Sequence, residues 1–265
     1  YGAQLVSGDQ VQAVHRGAES FGALYMPDGF SMHPLKLAWG VHRLAREAGA
    51  TVHVGSPVVD WTSANGSHRL VTPGGVVTAR KVVVATNGYT STALNRATAG
   101  RVLPVHSQII VTRPLSAEEK RQTLPGSECM FDTRHLLSYY RRLPDDRILF
   151  GGRSAITGRE AESPKHRQNL QDALSRKFPM LEGIQVDYNW GGWVAVSESS
   201  LPFVCQVPEL DNVFAGGGYA EKVLAEHARL YQVAKGKPED AARERLQRNL
   251  GMALEMIEQQ HNLWT

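Results

Sequence analysis

Apolar residues change their period several times along this chain, and each change predicts an element. From Pro34 to Ala48, Leu35, Ala38, Trp39, Val41, Leu44 and Ala45 recur at helical spacing, and Gly49 stands where a C-terminal cap belongs. Thr51–Val54 then reads as a strand, continued past a break by Ser56–Val59. Ser67–Val71 and Val76–Thr78 read as a hairpin turning through Thr72, Pro73, Gly74 and Gly75. Val82, Val83, Val84 and Ala85 form an apolar run without polar alternation, which predicts a strand buried on both faces. It stops at Thr86-Asn87-Gly88, where small polar residues and a glycine let backbone N–H groups approach a ligand. Strand ends of this kind line the crevices of open α/β sheets; an ordinary turn is the other reading.

Beyond Val105 the pattern becomes one of adjacent strands. Ser107–Thr112, Leu136–Arg141, Arg147–Phe150 and Val186–Trp190 read as strands, with Leu143-Pro144-Asp145-Asp146 as a turn between two of them. Pro164–Phe178 reads as a helix with Leu170, Ala173, Leu174 and Phe178 on one face, ended by Pro179. Many strands with few helices predict an antiparallel or mixed sheet. Alternation places Tyr139 and Arg141 on one face, Tyr140 and Arg142 on the other. One pair could wall a pocket, tyrosine giving an apolar surface with a polar tip and arginine a partner for a carboxylate; the other pair would face outward. Asp132, Arg134 and Asp145 read as solvated or turn charges. Val213-Phe214-Ala215 reads as a short strand entering Gly216-Gly217-Gly218, with a helix beginning near Glu221. An amphipathic helix from Pro238 to about Gln260, with Leu246, Leu250, Ala253, Leu254 and Ile257 on one face, follows the linker Lys235–Pro238 and is expected to pack on its own domain.

Composition narrows the class. The 265 residues suffice for a core that removes roughly three quarters of the unfolded surface from water. With 42% hydrophobic and 21% charged residues, this is an ordinary globular composition. The net charge of +3 comes from interspersed acids and bases, without the basic stripe and aromatic interleaving that nucleic acids require. No apolar run reaches the roughly 18 residues of a bilayer span. Cys129 and Cys205, far apart in sequence, read as free thiols and a cytoplasmic location. No metal-ligand spacing appears among the ten histidines and two cysteines, and no catalytic dyad can be named. His33, His53 and His106 are candidates by position, each with a structural reading alongside.

The motifs Met32-His33-Pro34-Leu35-Lys36-Leu37, Ala85-Thr86-Asn87-Gly88-Tyr89, Pro104-Val105-His106-Ser107-Gln108, Phe150-Gly151-Gly152-Arg153 and Trp190-Gly191-Gly192, in this order and spacing, resemble the FAD-dependent glycine, sarcosine and D-amino-acid oxidase superfamily. The subgroup resembled is that of the γ-glutamylputrescine oxidase-like enzymes, over roughly Ala23 to Tyr219. The resemblance implies a mixed α/β (α+β) fold: a partial FAD-binding domain plus an antiparallel or mixed-sheet substrate domain. It divides the chain into 1–105, the remainder of the FAD domain; 106–200, the substrate domain; and 201–265, a return to the FAD domain. It implies FAD contacts from Val58, Thr86, Asn87, Gly88, Gly216, Gly217, Gly218 and Tyr219, and a sheet that walls the substrate, on which Tyr139, Arg141 and Trp190 are the candidate contacts. It implies oxidation of an amine or amino compound at a C–N bond, with hydride passing to flavin N5; the flavin carries the chemistry and the protein orients the substrate. Where amino-acid-oxidising relatives hold the substrate carboxylate with an arginine, this chain has Val194, which favours an amine or a longer amino compound.

Two departures qualify the resemblance. No strand, G-x-G-x-x-G turn and helix is present to place a pyrophosphate at a helix N-terminus. Glu221 and Lys222 follow Tyr219 where relatives carry further small residues. The expectation is therefore an enzyme part that works with a partner chain or a preceding segment, since strands lacking a neighbour leave an adhesive edge. The alternative is a non-catalytic scaffold that kept the fold and lost FAD.

Overall fold

The computed structural model describes residues 2–18, 20–27, 29–91, 93–98, 103–134, 137–155, 163–196 and 203–217. Gly218, Tyr219, the helix near Glu221, the 238–260 helix and the start of the expected strand at Leu136 lie outside the described residues.

An antiparallel ribbon of β1 (Gln4–Ser7) and β2 (Gly22–Tyr25) flanks the single helical turn α1 (Gly8–Val11). Helix α2 (Pro34–Glu47) follows, capped by His33, whose Nδ1 accepts the Lys36 N–H at 3.3 Å. Pro34 occupies its first turn, where no N–H is needed, and Gly49 beyond its end takes φ +92°. A meander of β3 (Asp60–Ala64), β4 (Ser67–Thr72) and β5 (Gly75–Ala79) precedes β6 (Val82–Val84) and a 3₁₀ turn at Asn87–Tyr89. The central region runs through β7 (Leu103–Thr112), α3 (Ala117–Gln122), β8 (Met130–Phe131), β9 (Ser138–Arg142), β10 (Ile148–Ala155), α4 (Pro164–Lys177) and β11 (Val186–Val196). The last described strands are β12 (Phe203–Gln206) and β13 (Val213–Gly217).

The largest sheet is five-stranded and antiparallel throughout, in the order β11-β7-β10-β9-β8. One face carries Ile110, Tyr140, Ile148 and Phe150, all buried, and is covered by α4 through Leu170 and Leu174 and by Phe178 and Leu181. Period 2 on the strands meets period 3.6 on α4, so apolar residues from both converge on one core.

A second sheet, β12-β13-β6, pairs β13 parallel to β6 and antiparallel to β12. It joins the meander through Trp61, Val207 and Val213, and through His68, whose Nε2 lies 2.9 Å from the Asp211 carbonyl.

Three expectations are corrected. The Val82–Ala85 run is not buried on both faces: β6 is an edge strand, Val82 and Val84 pack toward the Trp61 cluster, and Val83 points away with 67% exposure. Thr51–Val59 forms no strand; among the described residues it has no ladder to join until Val59 N–H donates to the Val71 carbonyl at 2.8 Å. Asp132 is not a solvated charge: it meets the buried Lys177 ammonium at 3.2 Å and accepts the Ser138 N–H at 3.0 Å. Asp145 does behave as a turn charge, exposed beside Arg147.

Helix α2 forms as its pattern predicts, yet none of its residues is buried; Trp39 is 63% exposed.

Candidate functional site

Ala215 of β13 lies opposite Val84 of β6 in parallel register. Beyond Val84 the residues Ala85-Thr86 therefore leave β6 beside Gly216-Gly217, which stay paired with β12 as the last residues of β13, at the carboxyl edge where ligands bind in open α/β sheets. Both stretches consist of small residues, and beyond the Ala215–Val84 pair the two strands share no further ladder position, so backbone groups there are approachable by a flat ring. Thr86 Oγ1 lies 2.6 Å from Thr90 Oγ1, which in turn donates to the Asn87 carbonyl at 2.8 Å, holding the exit in one shape. These residues fit the ring end of a flavin nucleotide. No glycine-rich turn opening onto a helix N-terminus, suited to its pyrophosphate, occurs among the described residues. Val58 is half-buried in the irregular stretch before β3, and its side chain joins none of the clusters just described.

Beyond Thr86 the chain turns onto the free edge of β11. Asn87, at φ +52°, accepts the Ala195 N–H on its Oδ1 at 2.7 Å, and the Tyr89 hydroxyl accepts the Trp193 N–H at 3.2 Å. Gly88 packs so close that an added Cβ would lie 2.8 Å from the Trp193 Cβ. The carboxamide of Asn87 is thus committed to β11, which leaves its backbone as the group available to a cofactor.

On the five-stranded sheet the register gathers the expected substrate residues onto one face. Tyr139 opposes Gly151, Gly151 opposes Ile109, and Ile109 opposes Trp190; Arg141 lies in the next row with Leu149, Val111 and Tyr188. This face is the one α4 does not cover, and Trp190 is 48% exposed on it. Gly151 explains how Tyr139 crosses the sheet: its ring lies where a Gly151 Cβ would come within 2.3 Å, and its hydroxyl reaches Ser107 Oγ at 2.8 Å. Burial pushes the Tyr139 hydroxyl pKa up, the Ser107 hydrogen bond opposing this in part, so the group stays protonated near neutrality. Arg141 donates to the Met32 carbonyl at 3.3 Å, tying the sheet to the segment before α2. Val194 lies four residues beyond Trp190 on the same face, opposite Val105.

The other pair, Tyr140 and Arg142, faces the core side. Tyr140 stacks on Phe150 with ring centroids 5.6 Å apart, and its hydroxyl lies 3.0 Å from His15 Nε2. Burial and the neighbouring Asp132 push the Tyr140 pKa well above the ordinary range. Arg142 spends its donors on the carbonyls of Leu124, Pro125 and Gly126 and on Asp146. His106 is buried on this same side, its ring 5.0 Å from Trp193, and His53 is exposed in the irregular stretch after α2. Sequence reasoning missed Ser107 as the partner of Tyr139. Its signal was the glycine at 151, which only matters once the β9-β10-β7 register is known.

A surface depression of about 740 Å³ is lined by Trp39, Gly40, His42, Arg43, Arg46 and Glu47. All six come from α2, so it is a dent along an uncovered helix and holds none of the residues above. Among the described residues no group of three or more His, Cys, Asp or Glu side chains could hold a metal, and no helix is long and apolar enough to cross a membrane.

Comparison with known proteins agrees with this geometry. The family model for FAD dependent oxidoreductases matches residues 1–225. A probable oxidoreductase OrdL of Rhizobium meliloti is 32% identical over 190 residues, 71% of this chain and 42% of that protein. Gamma-glutamylputrescine oxidoreductase of Escherichia coli is 32% identical over 200 residues, 75% of this chain and 46% of that protein. The chain thus spans less than half the length of these relatives. Among solved structures, glycine oxidase from Geobacillus kaustophilus superposes with a TM-score of 0.65 at 23% identity, covering 85% of this chain and 60% of that one. L-proline dehydrogenase from P. horikoshii gives 0.67 at 17% identity, covering 89% and 66%. The strand-end crevice, the one-faced antiparallel sheet beside it and the match over residues 1–225 together place this chain in the FAD-dependent oxidoreductase family.

Proposed function

We propose that this chain supplies the substrate wall and part of the flavin-facing edge of an oxidase acting on an amine or amino compound. The observation that carries the proposal is the gathering of Tyr139, Arg141 and Trp190 on one open sheet face whose edge strand is tied to the exit of β6. Bound FAD would supply the hydride acceptor for oxidation of a C–N bond. The backbone at Thr86, Asn87, Gly88, Gly216 and Gly217 would meet its ring end, with Gly218 and Tyr219 continuing that exit and Val58 toward the adenine. Trp190 gives the substrate an apolar surface, Tyr139 a hydroxyl fixed by Ser107, and the half-buried Arg141, beside its bond to the Met32 carbonyl, further guanidinium donors suited to the remote carboxylate of a longer amino compound. Val194 leaves no cation at its own row, which favours this class over a simple α-amino acid.

The proposal divides the chain at 105/106 and 200/201, and includes a partner chain or further segment that supplies the pyrophosphate site. The uncovered face of α2 and the exposed Val83 support that part, being apolar surface in search of cover. Exposed, unpaired Cys129 and Cys205 support a cytoplasmic setting.

An absorbance spectrum tests the reading. Protein purified with added FAD, alone and together with a family nucleotide-binding half, should retain flavin bands after desalting, and those bands should bleach anaerobically with a diamine derivative. Colourless protein under both conditions would sink the enzyme and leave the scaffold reading.

A further inference from the structure

We propose that Asn87 and Tyr89 are positioning residues: they lock the free edge of the substrate wall to the flavin-facing strand exit, so that the two surfaces move as one. The inference rests on the functional reading above and deepens it.

β11 is the edge strand of the five-stranded sheet, bonded to β7 on one side only. Alternate N–H groups of an edge strand point away from its neighbour, and here those of Trp193 and Ala195 do so. Both are taken up by the turn that directly continues β6, Ala195 by the Asn87 carboxamide oxygen at 2.7 Å and Trp193 by the Tyr89 hydroxyl at 3.2 Å. The turn is built for this approach. Asn87 adopts the left-handed conformation that asparagine tolerates, and Gly88 lies where an added Cβ would come within 2.9 Å of the Trp193 and Val194 carbonyl carbons. Gly192 completes the fit, since a Cβ there would be 3.1 Å from the Tyr89 hydroxyl. The clamp spans two sheets that share no ladder, and it grips β11 within a few residues of Trp190. A shift of this edge would move Trp190 and Val194 relative to Thr86 and Gly216, changing where a substrate rests beside the flavin-facing backbone.

Hydrogen exchange on the full chain, read residue by residue, tests the lock. Asn87→Gly keeps the backbone conformation and removes the acceptor; Tyr89→Phe removes the hydroxyl; Asn87→Asp keeps an acceptor. Exchange at the Ala195 and Trp193 amides should accelerate about fivefold to tenfold in Asn87→Gly and Tyr89→Phe respectively, and at both amides in the double variant. Asn87→Asp should restore the Ala195 protection. Exchange in β4, β5, β9 and β10 should not change. In FAD-saturated protein Tyr89→Phe should raise the KM for the amine about threefold and the double variant about tenfold, with kcat changing less than KM in both. Unchanged exchange at both amides would overturn the lock, and faster exchange with an unchanged KM would overturn its positioning role. Wild-type protein that takes up no FAD would instead overturn the functional reading, and the exchange data alone would then decide the lock.

Discussion

Helices α2 and α4 have the same length and both announce themselves in the sequence as amphipathic, yet they end in opposite circumstances. Helix α4 buries Leu170 and Leu174 against Phe150 and Ile110, which are fully inaccessible to solvent. Helix α2 presents Leu35, Trp39, Val41 and Leu44 to solvent, and the β12-β13-β6 sheet does the same with Val83. Both helices have sound local signals, a side-chain N-cap and a proline in the first turn. Capping and periodicity therefore explain that each helix forms, while cover explains what each contributes to stability. Around α4 the sheet supplies that cover from the same chain. Around α2 no described residue supplies it.

Truncating the covered region should be the harshest way to expose this contrast. Phe150→Ala should cost about 3–5 kcal/mol, because a fully buried ring leaves a cavity between β10 and α4; the midpoint of urea unfolding measures it.

Acid should weaken the same region through His15. This imidazole is buried against Tyr140 and Phe178, and its pKa is lowered to about 4, by burial first and by the nearby Lys177 charge second. The folded state thus resists a proton that the unfolded chain accepts below about pH 6.5. The contribution is complete above pH 6.5 and is lost as pH falls toward 4, on the order of 2–3 kcal/mol. Stability measured at pH 7.5, 5.5 and 4.5 should fall in that order, and His15→Gln should flatten the decline.

The junction between the two regions should respond less. Gly88→Ala drives a methyl group into Trp193 and should cost about 1–3 kcal/mol by overpacking, seen as a lowered Tm with faster exchange at β11.

Substitution on α2 should be nearly silent in this chain. Leu44→Ser should change the unfolding free energy by no more than about 0.5 kcal/mol, since the side chain has little cover to lose. Sedimentation velocity should show reduced self-association, because an exposed apolar stripe is removed. A loss of several kcal/mol would mean that α2 packs on its own chain, and the contrast with α4 would fail.

Much of the fold was readable in advance. The helices at Pro34 and Pro164, the Thr72–Gly75 hairpin and the turn at Asp146 rest on short-range physics: caps, period and the special backbone of Gly and Asn or Asp. The site was readable in part. The Tyr139/Arg141 face followed from alternation, and the register of β9, β10, β7 and β11 then aligned it with Trp190. Three features could not be read locally. His15 belongs to the core only because Ala18 N–H reaches the Lys177 carbonyl and Arg16 N–H the Thr123 carbonyl, contacts over a hundred residues away. Asp132 looks like a surface charge until Lys177 is brought beneath Tyr140. Val82–Val84 looks doubly buried because apolar composition reports a demand for cover, whereas burial also depends on which surface arrives to meet it.

By itself the sequence determined where the chain turns helical or extended, which glycines and caps end those elements, and that no basic stripe for nucleic acid exists. It also carried the motif order that marks the family. Tertiary structure alone decided that Ala85-Thr86 leave β6 beside Gly216-Gly217 of β13, that Asn87 and Tyr89 clasp β11, and that one amphipathic helix packs on its sheet while its counterpart has no buried residue. Period and capping act across one or two turns of chain. Register and burial are set by pairings between segments as distant as β6 and β13, whose energies no local window contains.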